Sequence, residues 1–162
     1  MSGKDIDTTL EDGSVIHNTF TIERTYPQSP ARVFAAFSNK DMVRRWRVEG
    51  EGWDIDEFTY DFRIGGGEVS RFRYQGGPEI RLDAQFQDIV PDRRIVFAYR
   101  MKIGSEPLSA SLTTVEFFSS GGGTLLRHTE QGAFFDNVDS AKGREEGTRQ
   151  LLDALAAELQ RA

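Results

Sequence analysis

Two segments near the end of the chain decide its fold: GGGTLLRHTEQGAFF at residues 121–135 and REEGTRQLLDAL at residues 144–155. The first predicts a glycine turn that leads into a strand, and the second predicts an amphipathic helix that begins near Asp139 or Ser140. One face of this helix carries residues that recur at helical spacing, namely Gly147, Leu151, Leu155 and Leu159, with Thr148 and Leu152 beside them. A last strand followed by one long helix, after many strands, predicts a sheet that wraps around the helix and encloses a cavity.

The rest of the chain predicts further strands and two short helices. Apolar and polar residues alternate, as in strands with one buried face, at residues 15–26, 58–63, 71–74, 80–86, 95–101 and 115–117. Ser29 before Pro30 is typical of a helix start, and Asn39 can cap a second short helix. The glycine triplets at 65–67 and 121–123 lack the residues of a phosphate-binding loop, so we expect them to be hairpin turns.

These elements predict an α+β fold in one domain. A curved antiparallel sheet of about six or seven strands surrounds a long C-terminal helix, and the two short helices follow the first strand. We expect residues 1–13, which are polar and acidic, to form a flexible tail, and residues 14–162 to form the single domain.

Composition excludes several classes of function. A net charge of −6 opposes general binding to nucleic acid or to an anionic membrane. The chain has no cysteine and 2 histidines, so we expect no metal site and no cofactor. No apolar run is long enough to span a bilayer, and we expect a cytoplasmic protein. Arg44, Arg45 and Arg47 are interpreted as the solvated end of a helix.

Several short motifs in a fixed order carry a resemblance to a known family: ERTYPQSPARVF at 23–34, RW at 45–46, DFRIGG at 61–66, IVPDRRIVF at 89–97, HTEQG at 128–132 and EGTRQLL at 146–152. Over about residues 15–162 the chain resembles the START-like (SRPBCC) superfamily. Within it, the chain is similar to the bacterial branch related to the C-terminal domain of the activator of heat-shock protein 90 ATPase, often labelled polyketide-cyclase-like. The resemblance implies a helix-grip fold with a cavity. It does not imply one reaction, since the superfamily includes carriers, cyclases, oxygenase subunits and co-chaperone domains.

His128 and Glu130 are the candidate polar groups of the cavity, because residues two apart on a strand share a face with Leu126. They could form a structural pair that joins the strand to the final helix through Thr148, Arg149 or Arg144. They could instead contact a ligand, or act as acid–base groups, because burial pushes the pKa of a carboxyl upward. Gly143 and Gly147 indicate either a close approach to the helix backbone or a helix that begins near Glu145.

The predicted function is binding of a small hydrophobic or aromatic molecule between the sheet and the C-terminal helix. The predicted ligand-binding residues are Trp46, Tyr60, Phe72, Tyr74, Phe86, Phe97, Tyr99, Phe117, His128, Glu130, Thr148 and Leu152. One alternative is a protein-interaction module of the heat-shock protein 90 activator kind, with a chaperone as partner. The other is a cyclase-like or hydrolase-like enzyme that uses His128 and Glu130. The protein is expected to be a monomer or a homodimer.

Overall fold

The computed structural model describes residues 14–136 and 141–161. Predictions for the tail at 1–13, and for a helix start at Asp139 or Ser140, lie outside the described residues. The elements in chain order are β1 Val15–Tyr26, α1 Pro30–Ser38, α2 Lys40–Val43, a π-helical turn Arg44–Val48, β2 Trp53–Tyr60, β3 Gly67–Tyr74, β4 Ile80–Val90, β5 Arg94–Ile103, β6 Glu106–Ser120, β7 Gly123–Phe135 and α3 Ala141–Leu159.

The seven described strands form one antiparallel sheet in the order β1-β7-β6-β5-β4-β3-β2. The sheet is curved and does not close, since β1 and β2 are its two edges. Helix α3 packs against the π-helical turn, β1 and α1. The predicted helix-grip fold is therefore confirmed.

The predicted helix caps are confirmed. Ser29 Oγ accepts a hydrogen bond from the backbone N–H of Arg32, and Pro30 occupies the first turn of α1. Asn39 ends α1, and its side chain accepts from the backbone N–H of Met42 at the start of α2. Helix α2 then widens into the π-helical turn, where the Glu49 N–H donates to the Arg44 carbonyl over 2.8 Å. Such turns are rare and often occur at functional sites.

The packed core lies at the end of the sheet where α1 crosses it. The ring of Phe117 is edge-on to the rings of Phe34 and Phe37, at centroid distances of 5.5 and 5.4 Å. Trp46 packs against Phe37 at 5.1 Å, and its indole N–H donates to the Ala36 carbonyl. Residues of α3 that complete this cluster are Leu152, Leu155 and Leu159. No described helix has the length and apolar character that a bilayer crossing requires.

Candidate functional site

A row of mostly small or polar side chains crosses the inner face of the sheet, which is the face toward α3. Directly paired residues of antiparallel strands project from the same face. The pairs Tyr60↔Glu68, Glu68↔Ala84, Ala84↔Tyr99, Tyr99↔Ser111 and Ser111↔Gly132 therefore define one line of side chains. We call it the central row: Tyr60, Glu68, Ala84, Tyr99, Ser111 and Gly132.

Glu130 lies beside the central row and is 2% exposed. Its Oε1 accepts from the Tyr99 hydroxyl at 2.8 Å and from the Thr113 hydroxyl at 3.4 Å. Its Oε2 lies 3.4 Å from Arg144 Nη1, and Arg144 also donates to the Tyr99 hydroxyl at 2.8 Å and to Ser109 Oγ at 2.9 Å. Of the three links considered between this strand and the final helix, Arg144 is the one that forms.

The surroundings of Glu130 keep its carboxyl ionised. Burial alone would raise the pKa of Glu130, but the contacts with His128 and Tyr99 and the charge of Arg144 bring it below its usual value. The expectation that burial would leave a raised pKa is wrong, because hydrogen bonds and a paired cation outweigh desolvation here. Glu130 is therefore a fixed acceptor and is not suited to donate a proton near neutral pH.

His128 lies on the other side of Glu130 and is stacked on Phe20, with ring centroids 6.3 Å apart and planes 10° from parallel. Its Nε2 is 3.9 Å from Glu130 Oε1, which is beyond hydrogen-bond distance. Within residues 14–136 and 141–161 this buried nitrogen has no hydrogen-bond partner, and no cluster of side chains there could hold a metal ion. His17, in contrast, is exposed.

The interpretation of Arg44, Arg45 and Arg47 as a solvated helix end is wrong for Arg47. Arg44 pairs with Glu49 at the surface, but Arg45 Nη2 reaches Glu158 near the end of α3 at 2.6 Å. The Arg47 side chain is 18% exposed and forms an ion pair with Glu68, which is itself buried. In the π-helical turn, the Arg45 side chain therefore contacts α3 and the Arg47 side chain contacts a buried residue of β3.

The predicted ligand-binding residues fall into three groups. Trp46, Phe86, Phe117 and Leu152 are at most 6% exposed and belong to the packed core. Phe97 packs against that core, and Thr148, whose hydroxyl donates to the Arg144 carbonyl, lies on α3. The rest line the inner face of the sheet: Tyr60, Tyr99, His128 and Glu130 near the central row, and Phe72 and Tyr74 further along β3. Their role as ligand contacts stays a prediction.

Tyr60 and Tyr99, which lie on either side of Glu68 and Ala84 in the central row, are both held by hydrogen bonds. The Tyr60 hydroxyl donates to the Phe37 carbonyl at 2.5 Å, and burial raises the pKa of Tyr60 to about 12. Burial, with the negative charge of Glu130, also raises the pKa of Tyr99. Both phenols are therefore neutral donors at any physiological pH.

The two glycines of the final helix locate its start and a space beside it. Gly143 lies inside α3, so the alternative in which the helix begins near Glu145 is wrong. At Gly147, which is half-buried, an added Cβ would meet no described atom within 4 Å. A strand does not approach the helix closely at this position, and a side chain or a ligand could occupy the space.

Two shallow grooves lie on the outer face of the sheet. One, of about 550 Å³, is lined by residues that include Val69, Gln85 and Ala98, and the other, of about 470 Å³, by residues that include Thr19 and Gln131. Both are open troughs across outward-facing side chains. Their linings also include residues of the central row, namely Glu68, Ala84, Tyr99, Ser111 and Gly132.

An open, curved antiparallel sheet that holds a long C-terminal helix, with buried polar groups between them, defines a helix-grip protein of the START-like class. Residues 27–160 match the family described as Activator of Hsp90 ATPase homolog 1-like protein, and the chain belongs to that family. The family resemblance stated from the sequence motifs is thereby confirmed.

Solved structures extend this likeness over nearly the whole chain. The Mll3558 protein from Rhizobium loti is 76% identical with a TM-score of 0.84, covering 90% of this chain and 99% of that chain. A protein from Rhizobium leguminosarum is 40% identical with a TM-score of 0.88, covering 92% and 98%. The AHSA1-like protein from Aeromonas hydrophila, at 18% identity and a TM-score of 0.68 over 88% and 92%, shares the fold. No curated protein matches the chain.

Sequence reasoning missed Arg47, Glu68, Ser109 and Ser111 as interior groups. Glu68 and Ser70 alternate with Val69 and share the parity of Phe72, which was assigned to the buried face. That parity was a usable signal for Glu68. Arg47 had none, because the side-chain directions of a π-helical turn do not follow helical spacing.

Proposed function

We propose that this protein binds a small hydrophobic or aromatic molecule between the inner face of the sheet and α3. The observation that carries the proposal is the central row. Ala84 and Ser111 fill little volume in the middle of a curved sheet, where a packed interior would carry larger apolar side chains.

The groups around the row are those of a typical ligand site. Small-molecule pockets are mostly apolar and carry a few placed polar groups. Tyr60 and Tyr99 supply aromatic surface, while His128 Nε2 and Ser111 Oγ are buried without a hydrogen-bond partner in the described residues. The open space beside Gly147 lies one turn of α3 beyond Arg144, which contacts Tyr99. The START-like fold of the family supports the same location.

Binding can be tested with a panel of one-, two- and three-ring aromatic compounds, followed by native mass spectrometry and by amide chemical shifts. We expect at least one compound to bind and to shift the amides of β5, β6 and α3. Gly147→Phe should abolish binding because its ring fills the space beside α3. Gln150→Phe, on the exposed face of the same helix, is the matched control and should bind as the wild type does. Failure of the whole panel, or unchanged binding by Gly147→Phe, would refute the proposal.

A protein partner is the second candidate, favoured by an aromatic patch at the end of the β2–β3 hairpin. Trp53 is 36% exposed and Tyr74 is 47% exposed, and their rings lie 4.8 Å apart. Exposed aromatic side chains are common in protein interfaces, and the family description refers to an activator of the Hsp90 ATPase. An ATPase assay with that chaperone tests it. Stimulation that is lost in Trp53→Ser/Tyr74→Ser would support this function, whereas no stimulation by the wild type would exclude it.

Acid–base catalysis by His128 and Glu130 has less support, since Glu130 is ionised and engaged by Tyr99 and Arg144. A cyclase or hydrolase function requires that His128→Ala abolish a measured turnover while the thermal midpoint stays unchanged. Turnover that persists in His128→Ala excludes this role.

A further inference from the structure

Arg47 is an interior arginine that uses little of its hydrogen-bonding capacity within the described residues. It reaches the interior from the π-helical turn, and its guanidinium lies 5.8 Å from the centroid of the Tyr60 ring. A guanidinium carries five N–H donors. Its contact with Glu68 is an ion pair at Nη2, and this buried nitrogen forms no hydrogen bond with any residue in the described ranges.

The carboxylate that pairs with Arg47 is already shared. Glu68 also accepts a hydrogen bond from the Ser70 hydroxyl at 2.5 Å. Donors that are buried without acceptors are costly, and more so when they carry charge. In agreement with this, burial lowers the pKa of Arg47.

On β3, the strand that carries Glu68, two other arginines each contact two carboxylates. Arg71 contacts both Glu57 and Glu79, at 3.4 and 3.0 Å. Arg73 contacts Asp56 and the same Glu79, at 3.0 and 3.4 Å. Arg47 differs from both, because the described residues supply it with one carboxylate.

We propose that the ligand is an aromatic carboxylate whose anionic group binds Arg47, while its ring lies along the central row between Tyr60 and Tyr99. This inference rests on the proposed function and specifies the chemical class of the ligand. Arg144, the other interior arginine, already donates to Glu130, Tyr99 and Ser109. A carboxylate is favoured over a neutral acceptor because hydrogen bonds between ionised groups are about twice as strong as neutral ones.

The test compares matched acids and amides that have the same aromatic body, with 2-naphthoate and 2-naphthamide as the two-ring pair. We expect the acid of the best-fitting pair to bind about tenfold more tightly than its amide at pH 7, as measured by titration calorimetry. Equal binding of acid and amide would overturn the inference and leave the proposed function standing. Absence of binding by every acid, amide and parent hydrocarbon would overturn both.

Variants of the protein then test whether Arg47 is the group that causes the preference for the acid over the amide. Arg47→Met alone leaves Glu68 buried and unpaired, which could unfold the protein, so the informative variant is Arg47→Met/Glu68→Leu. In this double variant we expect acid and amide to bind within about twofold of each other while the hydrocarbon still binds. Arg73→Met, on the outward face of β3, is the matched control and should keep the tenfold preference. A preference that survives in Arg47→Met/Glu68→Leu would show that another group binds the carboxylate and would refute the inference.

Discussion

Replacing Arg144 by methionine should destabilise the fold through the charge that it leaves behind on Glu130. Methionine keeps the apolar contacts of the arginine stem, so the loss is mainly electrostatic. Removal of one partner from a buried ion pair costs about 3–5 kcal/mol. We expect the lower end, about 3 kcal/mol, because Glu130 would still accept from Tyr99 and Thr113. For a domain of this size that corresponds to a fall in Tm of about 6–12 °C.

The assay is urea unfolding at pH 7 with linear extrapolation, and unchanged m values would show that the denatured state is not altered. Arg149→Met is the matched control on the same helix. Arg149 pairs with Glu145 one turn away, and both side chains are well exposed. Its loss should cost about 0.3–0.5 kcal/mol.

A second substitution tests whether the cost arises from the orphaned charge. Glu130→Gln should destabilise the wild type by about 3 kcal/mol, because it leaves the buried Arg144 cation without its carboxylate partner. In the Arg144→Met background the same change should restore about 1 kcal/mol or more, since it removes the unpaired buried carboxylate. If Glu130→Gln destabilises both backgrounds equally, the two residues are not coupled and the reasoning is refuted.

Three further outcomes are expected. The pKa of Glu130 is depressed in the folded state, so its contribution to the free energy of unfolding is present above the unfolded pKa of about 4.3 and is lost as pH falls below it. The free energy of unfolding of Glu130→Gln, measured with urea, should therefore vary less with pH between about 5 and 3 than that of the wild type. Gly147→Ala should stabilise by up to about 1 kcal/mol, because the helix gains propensity and the added methyl meets no described atom; a lower Tm would contradict this. Gly132→Ala should destabilise by about 1–3 kcal/mol, since its Cβ would lie 2.8 Å from the Phe134 ring and 3.1 Å from Ser111 Oγ; a Tm equal to that of the wild type would show that these groups yield at no cost.

The fold was predictable because local signals agree with one another along the chain. Ser29, Pro30 and Asn39 cap their helices as such residues do in most proteins. The alternation in β1 and β4–β7 has period two, and the triplet at 121–123 forms the turn between β6 and β7. The bounds of β2 were less accurate. Phe62 continues the alternation of Phe58 and Tyr60, but the strand ends at Tyr60, because Asp61 already belongs to the turn that leads to Gly67.

The candidate site was predictable only in part, because its members come from distant strands. The shared face of His128 and Glu130 follows from spacing along one strand. That Tyr99 donates to Glu130 depends on the register of β5, β6 and β7, which spacing within a strand does not determine. The sign of the pKa shift at Glu130 was missed for the same reason, since it depends on Tyr99 and Arg144, as well as on burial and on His128 of the same strand.

Stability alone does not explain why the inner face of this sheet is polar. The ion pairs Arg47–Glu68 and Arg144–Glu130 are both largely buried, and well-packed apolar residues in place of such pairs are often neutral or stabilising. Ala84 and Ser111, in the central row between these pairs, likewise make fewer contacts than larger residues would. The aromatic core beside α1 shows that this chain can pack densely where it does not need space. Departures from good packing are typical of functional sites, and the row between the two arginines, where we propose that the ligand binds, contains such departures.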